Sequence, residues 1–196
     1  MKSDEFISKL RRQADETSEL RRTWIEEIGP RVHDLAAVTA GVIGSGGKLL
    51  IAGNGGSASD ASHFAAEMVV RLTADRNRQA LPAIALGMDP SVVTAASNDF
   101  GFENMFARQT EALGNKGDLL LVISTSGNSA NLLKAVTVAR EKGILTAGLL
   151  GGNGGRLAET VDRSIIIPHT STQRIQEEHI FIIHTLVETI EADLFG

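Results

Sequence analysis

A histidine and a glutamate one helical turn apart are the side chains of this sequence best placed to do chemistry. His63 and Glu67 follow an apolar segment, residues 49–53, and a glycine-rich turn. Side chains at i and i+4 share one face of a helix, so this pair could bind one divalent ion or transfer protons together. The simplest alternative is a solvated ion pair. The turn before them predicts an anion site, because the first turn of a helix leaves backbone N–H groups unpaired.

A second polar loop follows another apolar segment, residues 119–123. Hydroxyl groups in this loop can add donors to the backbone amides of the next helix. They belong to Ser124, Thr125, Ser126 and Ser129. The same residue types also end strands and cap helices without binding any ligand, so a purely structural loop is the alternative interpretation.

Two loops of this kind indicate a monophosphorylated sugar as the ligand. A dinucleotide is the alternative, since Gly53, Gly55 and Ala58 fit the glycine pattern of a nucleotide-binding turn. A dinucleotide site also needs an acidic residue at the end of the second strand, about 20 positions further on. The second candidate strand begins only near Ala83, and the first acid after it is Asp89.

The last helical segment carries a second candidate pair, Gln176 and His184. Their spacing corresponds to about 12 Å along a helix, at ~1.5 Å per residue. One metal ion could therefore bind both only if the side chains extend towards each other, or if different subunits contribute them. A hydrogen-bonded core histidine is the alternative for His184, and we expect His169 and His179 to be structural.

Short apolar segments that alternate with helical ones predict the fold around these residues. Segments that are apolar on both faces are typical of parallel strands covered by helices. The candidate strands are residues 48–52, 83–86, 119–123, 145–150 and 164–167. We therefore predict an α/β fold with a doubly wound five-stranded parallel sheet, whose ligands bind beyond the carboxyl ends of the strands. A closing helix is predicted at about 173–194.

The first 45 residues are predicted to form a helical hairpin. Apolar residues recur every three or four positions from Phe6 to Ile28, and a second helical stretch runs from Val32 to Ile43. Between them, Gly29 and Pro30 indicate a break. The prediction is an N-terminal helical extension for oligomerisation, residues 1–45, followed by one domain, residues 46–196.

The composition excludes several classes of protein. With 196 residues, of which 42% are hydrophobic, the chain is long enough to bury one core. A net charge of −5 provides no general basic field, so nucleic acid is not an expected partner. The absence of cysteine excludes disulfides and thiolate metal sites. No signal peptide or membrane span is recognisable, and we expect a cytoplasmic protein without a membrane partner.

Five sequence blocks, taken together and in this order, resemble the sugar isomerase (SIS) domain family. They are residues 52–57, 63–67, 98–102, 124–129 and 174–177. Within that family the chain is similar, over nearly its whole length, to isomerases that convert sedoheptulose 7-phosphate to D-glycero-D-manno-heptose 7-phosphate. The resemblance implies an SIS fold for residues 46–196, one zinc ion per subunit, and a homotetramer with active sites between subunits. With sites between subunits, different subunits could supply Gln176 and His184 to one metal ion, despite their separation of about 12 Å along the last helix.

The resemblance further implies roles for individual residues. The zinc ligands would be His63, Glu67, Gln176 and His184. The contacts to the sugar phosphate would be Asn54, Gly55, Gly56, Ser57, Glu67, Asn98, Asp99, Ser124, Thr125, Ser126, Ser129 and Gln176. Glu67 and His184 would transfer protons through an enediol, while zinc polarises the carbonyl oxygen.

The main alternative function is binding without catalysis. Relatives with the same fold associate with the bacterial replication initiator, and they lack an acid and a histidine at the positions of Glu67 and His184. Because both residues are present here, we expect an enzyme, an aldose-ketose isomerase. A sugar-phosphate sensor, or an isomerase of another ketose phosphate, is a further alternative.

Overall fold

A five-stranded parallel sheet forms the centre of the computed structural model, which describes residues 2–196. Every neighbouring pair of strands is parallel, and the order across the sheet is β2-β1-β3-β4-β5. The strands are β1 (Leu49–Gly53), β2 (Ala83–Ala85), β3 (Leu119–Ser124), β4 (Leu145–Gly151) and β5 (Arg163–Ile167). The predicted fold class is confirmed, and each predicted strand boundary lies within one residue of the observed one.

Helices cover both faces of this sheet. They are α1 (Ser3–Gly44), α2 (Gly56–Val69), α3 (Pro90–Phe100), α4 (Met105–Leu113), α5 (Ala130–Glu141), α6 (Gly155–Thr160) and α7 (Thr172–Phe195). Helices α1, α2 and α7 pack on one face, and α3 to α6 pack on the other. Because side chains alternate along a strand, Leu49 and Ile51 enter the first core while Leu50 and Ala52 enter the second. None of the helices in residues 2–196 is both long and apolar enough to cross a membrane.

Strand pairing brings the two polar loops to one edge of the sheet. Strands β1 and β3 are neighbours in register, with Gly53 opposite Ile123. Both strands run in the same direction, so the loops that follow them emerge side by side. This is the edge at which ligands bind in open α/β sheets.

The predicted N-terminal hairpin is wrong, because α1 is one continuous helix of 42 residues with Pro30 inside it. An internal proline removes one helical hydrogen bond and crowds the preceding turn, at a cost of about 3 kcal/mol. The apolar face of α1 continues across Pro30 and is buried against α7 and β5, and each buried large side chain contributes roughly 1.5–3 kcal/mol. The buried side chains on this face are Leu20, Trp24, Ile28, Val32 and Leu35. Burial on both sides of the proline therefore exceeds its local cost.

Candidate active site

A pair of asparagine side chains joins the two polar loops. The amide of Asn54 donates to Asn131 at 3.0 Å, and the amide of Asn131 donates back to Asn54 at 2.8 Å. Asn54 directly follows β1, whereas Asn131 lies in the first turn of α5 and is buried. Gly55 precedes α2 with a φ of +58°, a conformation that favours glycine. The amide pair therefore holds the glycine turn, residues 53–56, against the first turn of α5, which follows the second polar loop.

The serine-rich loop, residues 124–129, is a tight turn with its own internal hydrogen bonds. The hydroxyl of Ser124 accepts from the backbone N–H of Gly127 at 3.1 Å and lies 3.5 Å from the hydroxyl of Ser129. Gly127 has a φ of +65°, and a Cβ there would overlap the carbonyl of Gly154 in the loop after β4. Thr125 and Ser129 are half-buried and Ser126 is exposed. The loop is thus held next to the start of α5, where backbone N–H groups can bind an anion.

Two histidines meet where helix α2 packs against helix α7. The Nε2 atoms of His63 and His184 are 2.9 Å apart, and their ring centroids are 5.1 Å apart. Glu67 lies one turn after His63, with its Oε1 atom 3.6 Å from His63 Nε2. The structure therefore brings these three predicted side chains together within one chain.

Gln176 lies at the other end of the same helix interface. Its side-chain amide rests against Gly56, the first residue of α2, so closely that a Cβ at Gly56 would overlap it. Position 56 thus faces 176, while His63 faces His184. Helices α2 and α7 therefore run side by side in the same direction, and one interface carries all four predicted metal ligands.

Asp60 is a site residue that the sequence analysis missed. It is half-buried on α2, and its Oδ2 atom is buried without a hydrogen-bond partner. Burial raises the pKa of Asp60 to about 6, and the nearby His63 opposes part of this shift. Its spacing was an available signal, because residues 60, 63 and 67 share one face of a helix.

Asn98 and Asp99 lie near the end of α3. Both are exposed, and Asn98 donates to the carboxylate of Asp99 at 2.8 Å. Asp99 lines an open groove of about 550 Å³ between α3 and α4. The groove is mainly apolar, and its large apolar side chains are Ile84, Met88, Val92, Phe100 and Leu113.

Comparison with known proteins agrees with this geometry. The family model of the SIS domain matches residues 14–151. The phosphoheptose isomerase of Geotalea daltonii is 46% identical over 191 residues, which are 97% of this chain and 98% of that protein. The structure of the phosphoheptose isomerase from Neisseria gonorrhoeae matches with a TM-score of 0.89 and 37% identity, over 95% of this chain and 99% of that one. The chain belongs to the phosphoheptose isomerases of the SIS domain family. A phosphoheptose isomerase from Francisella tularensis, 34% identical, matches 98% of this chain and 100% of its own with a TM-score of 0.91.

Membership of the phosphoheptose isomerases confirms the family that the five sequence blocks indicated. The protein is an enzyme, a sugar-phosphate isomerase. This result favours catalysis over binding to the replication initiator. That alternative came from relatives that lack an acid and a histidine at the positions of Glu67 and His184.

The side chains on the α2–α7 interface of this isomerase are of types that bind metal ions. In this structure, however, they are arranged as a hydrogen-bonded cluster. No group of three or more His, Cys, Asp or Glu side chains in residues 2–196 has the arrangement of a metal site. Ligand atoms about 2.0–2.1 Å from a tetrahedral zinc ion lie roughly 3.3 Å apart, so the 2.9 Å between His63 and His184 corresponds to a hydrogen bond. Only one proton fits between these nitrogens, whereas a cation can accept both lone pairs. Together with Glu67 and Gln176, the two imidazoles therefore supply ligand types that suit zinc.

The other two histidines of the isomerase's C-terminal region have structural contacts. His179 is fully buried, with its Nε2 atom 3.1 Å from the carbonyl oxygen of Leu150. Burial lowers the pKa of His179 to about 4, so the ring is neutral at pH 7. His169 accepts from the backbone N–H of Ser171 through Nδ1 and lies 3.4 Å from the carboxylate of Glu16.

Proposed function

We propose that this isomerase converts sedoheptulose 7-phosphate to D-glycero-D-manno-heptose 7-phosphate through an enediol. The observation that carries the proposal is the cluster of His63, Glu67 and His184 on the α2–α7 interface. Helix α2 begins at the glycine turn, which the asparagine pair joins to the first turn of α5, directly after the serine-rich loop. The proposed proton-transfer groups His63 and Glu67 thus lie on a helix that starts at the proposed anion site.

The two loops are proposed to bind the sugar phosphate. Their backbone N–H groups and hydroxyls are donors, and the N-termini of α2 and α5 add favourable dipoles. The proposed contacts are Asn54, Gly55, Gly56, Ser57, Ser124, Thr125, Ser126 and Ser129. Gln176, against Gly56, is proposed to contact the sugar as well as a metal ion.

Glu67 and His184 are proposed to move the proton between the two carbons of the ketose and the aldose. The carboxylate of Glu67 would remove the proton from the carbon beside the carbonyl. While its Nε2 atom is free of metal, His184 would donate a proton to the developing enediol oxygen, and Glu67 would return its proton to the second carbon. The Nε2 atom of His184, 2.9 Å from that of His63, cannot carry a proton while it binds zinc, so its acid role and its ligand role would alternate during turnover. One zinc ion per subunit, bound by His63, Glu67, Gln176 and His184, would supply Lewis-acid polarisation of the carbonyl oxygen.

A homotetramer with sites between subunits completes the proposal. In support, Phe6, Ile7 and Leu10 on the first turns of α1 are exposed apolar side chains. The apolar groove between α3 and α4 is a second such surface. Asn98 and Asp99 lie at the end of α3 beside this groove, so they would reach the sugar of a neighbouring subunit. Residues 1–45 would then serve assembly and residues 46–196 catalysis.

The decisive experiment measures turnover of sedoheptulose 7-phosphate by purified protein, with metal analysis before and after chelation. Glu67→Gln should lower kcat by about 10²–10⁴-fold, the range typical of a lost general base. His184→Ala should be comparably impaired. Glu188→Gln is the matched control, because Glu188 lies exposed on α7 one turn after His184. Near-normal turnover by Glu67→Gln with its fold intact would refute the assignment.

Two further measurements address the substrate and the assembly. A panel of C5, C6 and C7 ketose phosphates identifies the preferred chain length, and the proposal requires the C7 sugar to give the highest kcat/KM. Sedimentation equilibrium gives the oligomeric state. A monomer with full activity would contradict intersubunit sites.

A further inference from the structure

The meeting of His63 with His184 depends on how helices α2 and α7 are aligned along each other. A slip by one residue would move a side chain about 1.5 Å along the helix axis and rotate it by roughly 100°. The facing imidazoles would then separate. Close packing of the apolar side chains between the helices opposes such a slip, and a directional polar contact can fix the alignment more precisely.

We infer that Arg78 is a positioning residue that fixes this alignment by clamping the end of α2 to Glu191 of α7. Arg78 lies in the segment between α2 and β2. Its Nε donates to the carboxylate of Glu191 at 2.7 Å. Its two terminal nitrogens donate to the carbonyl oxygens of Glu67 at 2.8 Å and of Met68 at 2.7 Å.

The clamp acts on the backbone of a proposed catalytic residue. The last carbonyl groups of a helix have no partner within the helix, and Arg78 donates to two of them at the end of α2, those of Glu67 and Met68. The Met68 carbonyl also accepts from the backbone N–H of Leu81. One of the two carbonyl groups that Arg78 contacts thus belongs to Glu67 itself. The guanidinium group is planar and rigid, so its hydrogen bonds fix the direction of approach as well as the distance.

Burial makes this contact specific. The side chains of Arg78 and Glu191 are only 1% and 3% exposed. A buried charge that loses its partner is strongly destabilised, so separating Arg78 from Glu191 is costly. Arg76 also approaches Glu191, but at 3.8 Å and with a side chain that is 37% exposed. Arg78 is therefore the member of this group that determines the geometry.

A similar ion pair elsewhere in the chain provides a matched control. Arg21 of α1 makes two hydrogen bonds to Glu178 of α7, at 3.0 and 2.9 Å, and the Glu178 side chain is fully buried. This pair also joins a guanidinium group to a buried carboxylate on α7. It reaches from α1, however, and does not contact α2 in these hydrogen bonds. Loss of Arg21 should weaken the fold without changing the alignment of α2 and α7.

The test compares Arg78→Met, Arg78→Lys and Arg21→Met in the full-length protein. The first readout is the nuclear Overhauser effect between the imidazole ring protons of His63 and His184, in metal-free protein with ¹³C-labelled histidine and a deuterated background. The second readout is kcat and KM for sedoheptulose 7-phosphate. The third is the free energy of unfolding in urea, which allows variants of equal stability to be compared.

The positioning role predicts a specific pattern. Arg78→Met should lose the Overhauser effect and lower kcat by about 10²-fold, the size of effect that a 1 Å displacement can produce, with a smaller change in KM. Arg78→Lys keeps the charge and one donor group, and should recover part of both signals. Arg21→Met should keep the Overhauser effect and the wild-type kcat.

The inference is overturned if Arg78→Met retains the Overhauser effect and a kcat within about twofold of that of Arg21→Met. If Arg78→Met does not fold, Arg78→Lys and Glu191→Gln decide the question by the same readouts. The kinetic readout rests on the proposed function, whereas the Overhauser effect does not. An inactive wild-type protein whose Overhauser effect disappears in Arg78→Met would refute the proposed substrate and retain the positioning role.

Discussion

Protonation of His179 should make the stability of this protein fall steeply in mild acid. The ring is fully buried on α7, and its Nε2–H group donates to the carbonyl oxygen of Leu150 at 3.1 Å. Its Nδ1 atom is also buried and has no partner. A second proton on the ring would therefore place an uncompensated charge in the core.

The size of this loss of stability follows from the pKa of His179 in the folded and in the unfolded protein. Burial lowers the pKa from 6.5 to about 4 in the folded protein. Below pH 6.5 the unfolded chain gains a proton that the folded chain does not, so stability is full above pH 6.5 and is lost as the pH falls towards 4. Each pH unit in this window costs about 1.4 kcal/mol, which gives a loss of about 2 kcal/mol between pH 7 and pH 5.

His179→Gln is the variant that isolates this effect. The glutamine amide can still donate to the Leu150 carbonyl, but it does not titrate. We expect the free energy of unfolding in urea to fall by about 2 kcal/mol less between pH 7 and pH 5 in this variant than in the wild type. Contributions from the carboxylates and the other histidines cancel in the comparison.

His33→Gln is the control, because His33 is an exposed histidine on α1. The free energy of unfolding of His33→Gln should change with pH as that of the wild type does. Equal pH dependence of the wild type and His179→Gln would refute the burial argument. It would show that the ring accepts its second proton in the folded state without a large cost.

Three other variants address the site. Gly56→Ala should displace the amide of Gln176, because the new Cβ would overlap it, and should raise KM or lower kcat at least about tenfold in a folded protein. Asn131→Ala removes both hydrogen bonds to Asn54, and its stability should fall by about 1–3 kcal/mol in urea unfolding, with a higher KM. Asp60→Asn should be more stable than the wild type at pH 8, by up to about 1 kcal/mol after allowance for partial solvent exposure, because burial raises the pKa of this carboxyl to about 6 and disfavours its charged form. That gain should disappear as the pH falls below about 4, where the carboxyl is protonated in both states.

Each of these variants has an outcome that would contradict its reasoning. For Gly56→Ala the control is Gly41→Ala on α1, where a Cβ meets nothing within 4 Å. Equal kinetics of the two alanine variants would show that Gln176 needs no space at Gly56. Unchanged stability of Asn131→Ala would mean that water replaces the amide pair. A stability gain of Asp60→Asn that persists at pH 4 would exclude ionisation as its cause.

The sheet was predictable because its signal is local. Buried parallel strands must be apolar on both faces, and the five apolar segments match β1 to β5 within one residue. Helix α7 was predicted for a similar reason, since its apolar residues recur at helical spacing. The break at Gly29 and Pro30 was the local signal that failed, because the packing of α1 against α7 and β5 overrides it.

The site was predictable only in part. The i,i+4 spacing of His63 and Glu67 fixes their common face on any helix, and the glycine turn fixes where that helix begins. The sequence contains no comparable signal for Asn131 or Arg78. Their partners lie far away in the chain, and only the packing of α5 and α7 brings them together.

The sequence alone determined the parallel sheet, the two loops at its carboxyl edge and the family of sugar isomerases, because these follow from periodicity and from motifs of consecutive residues. The tertiary structure decided that His184 meets His63 within one chain at 2.9 Å and that Gln176 rests against Gly56. It also decided that Asn98 donates to Asp99 and that Asp99 lines an apolar groove. The physical reason is that contacts between segments more than 100 residues apart depend on how whole helices pack, and no pattern within one segment encodes that alignment.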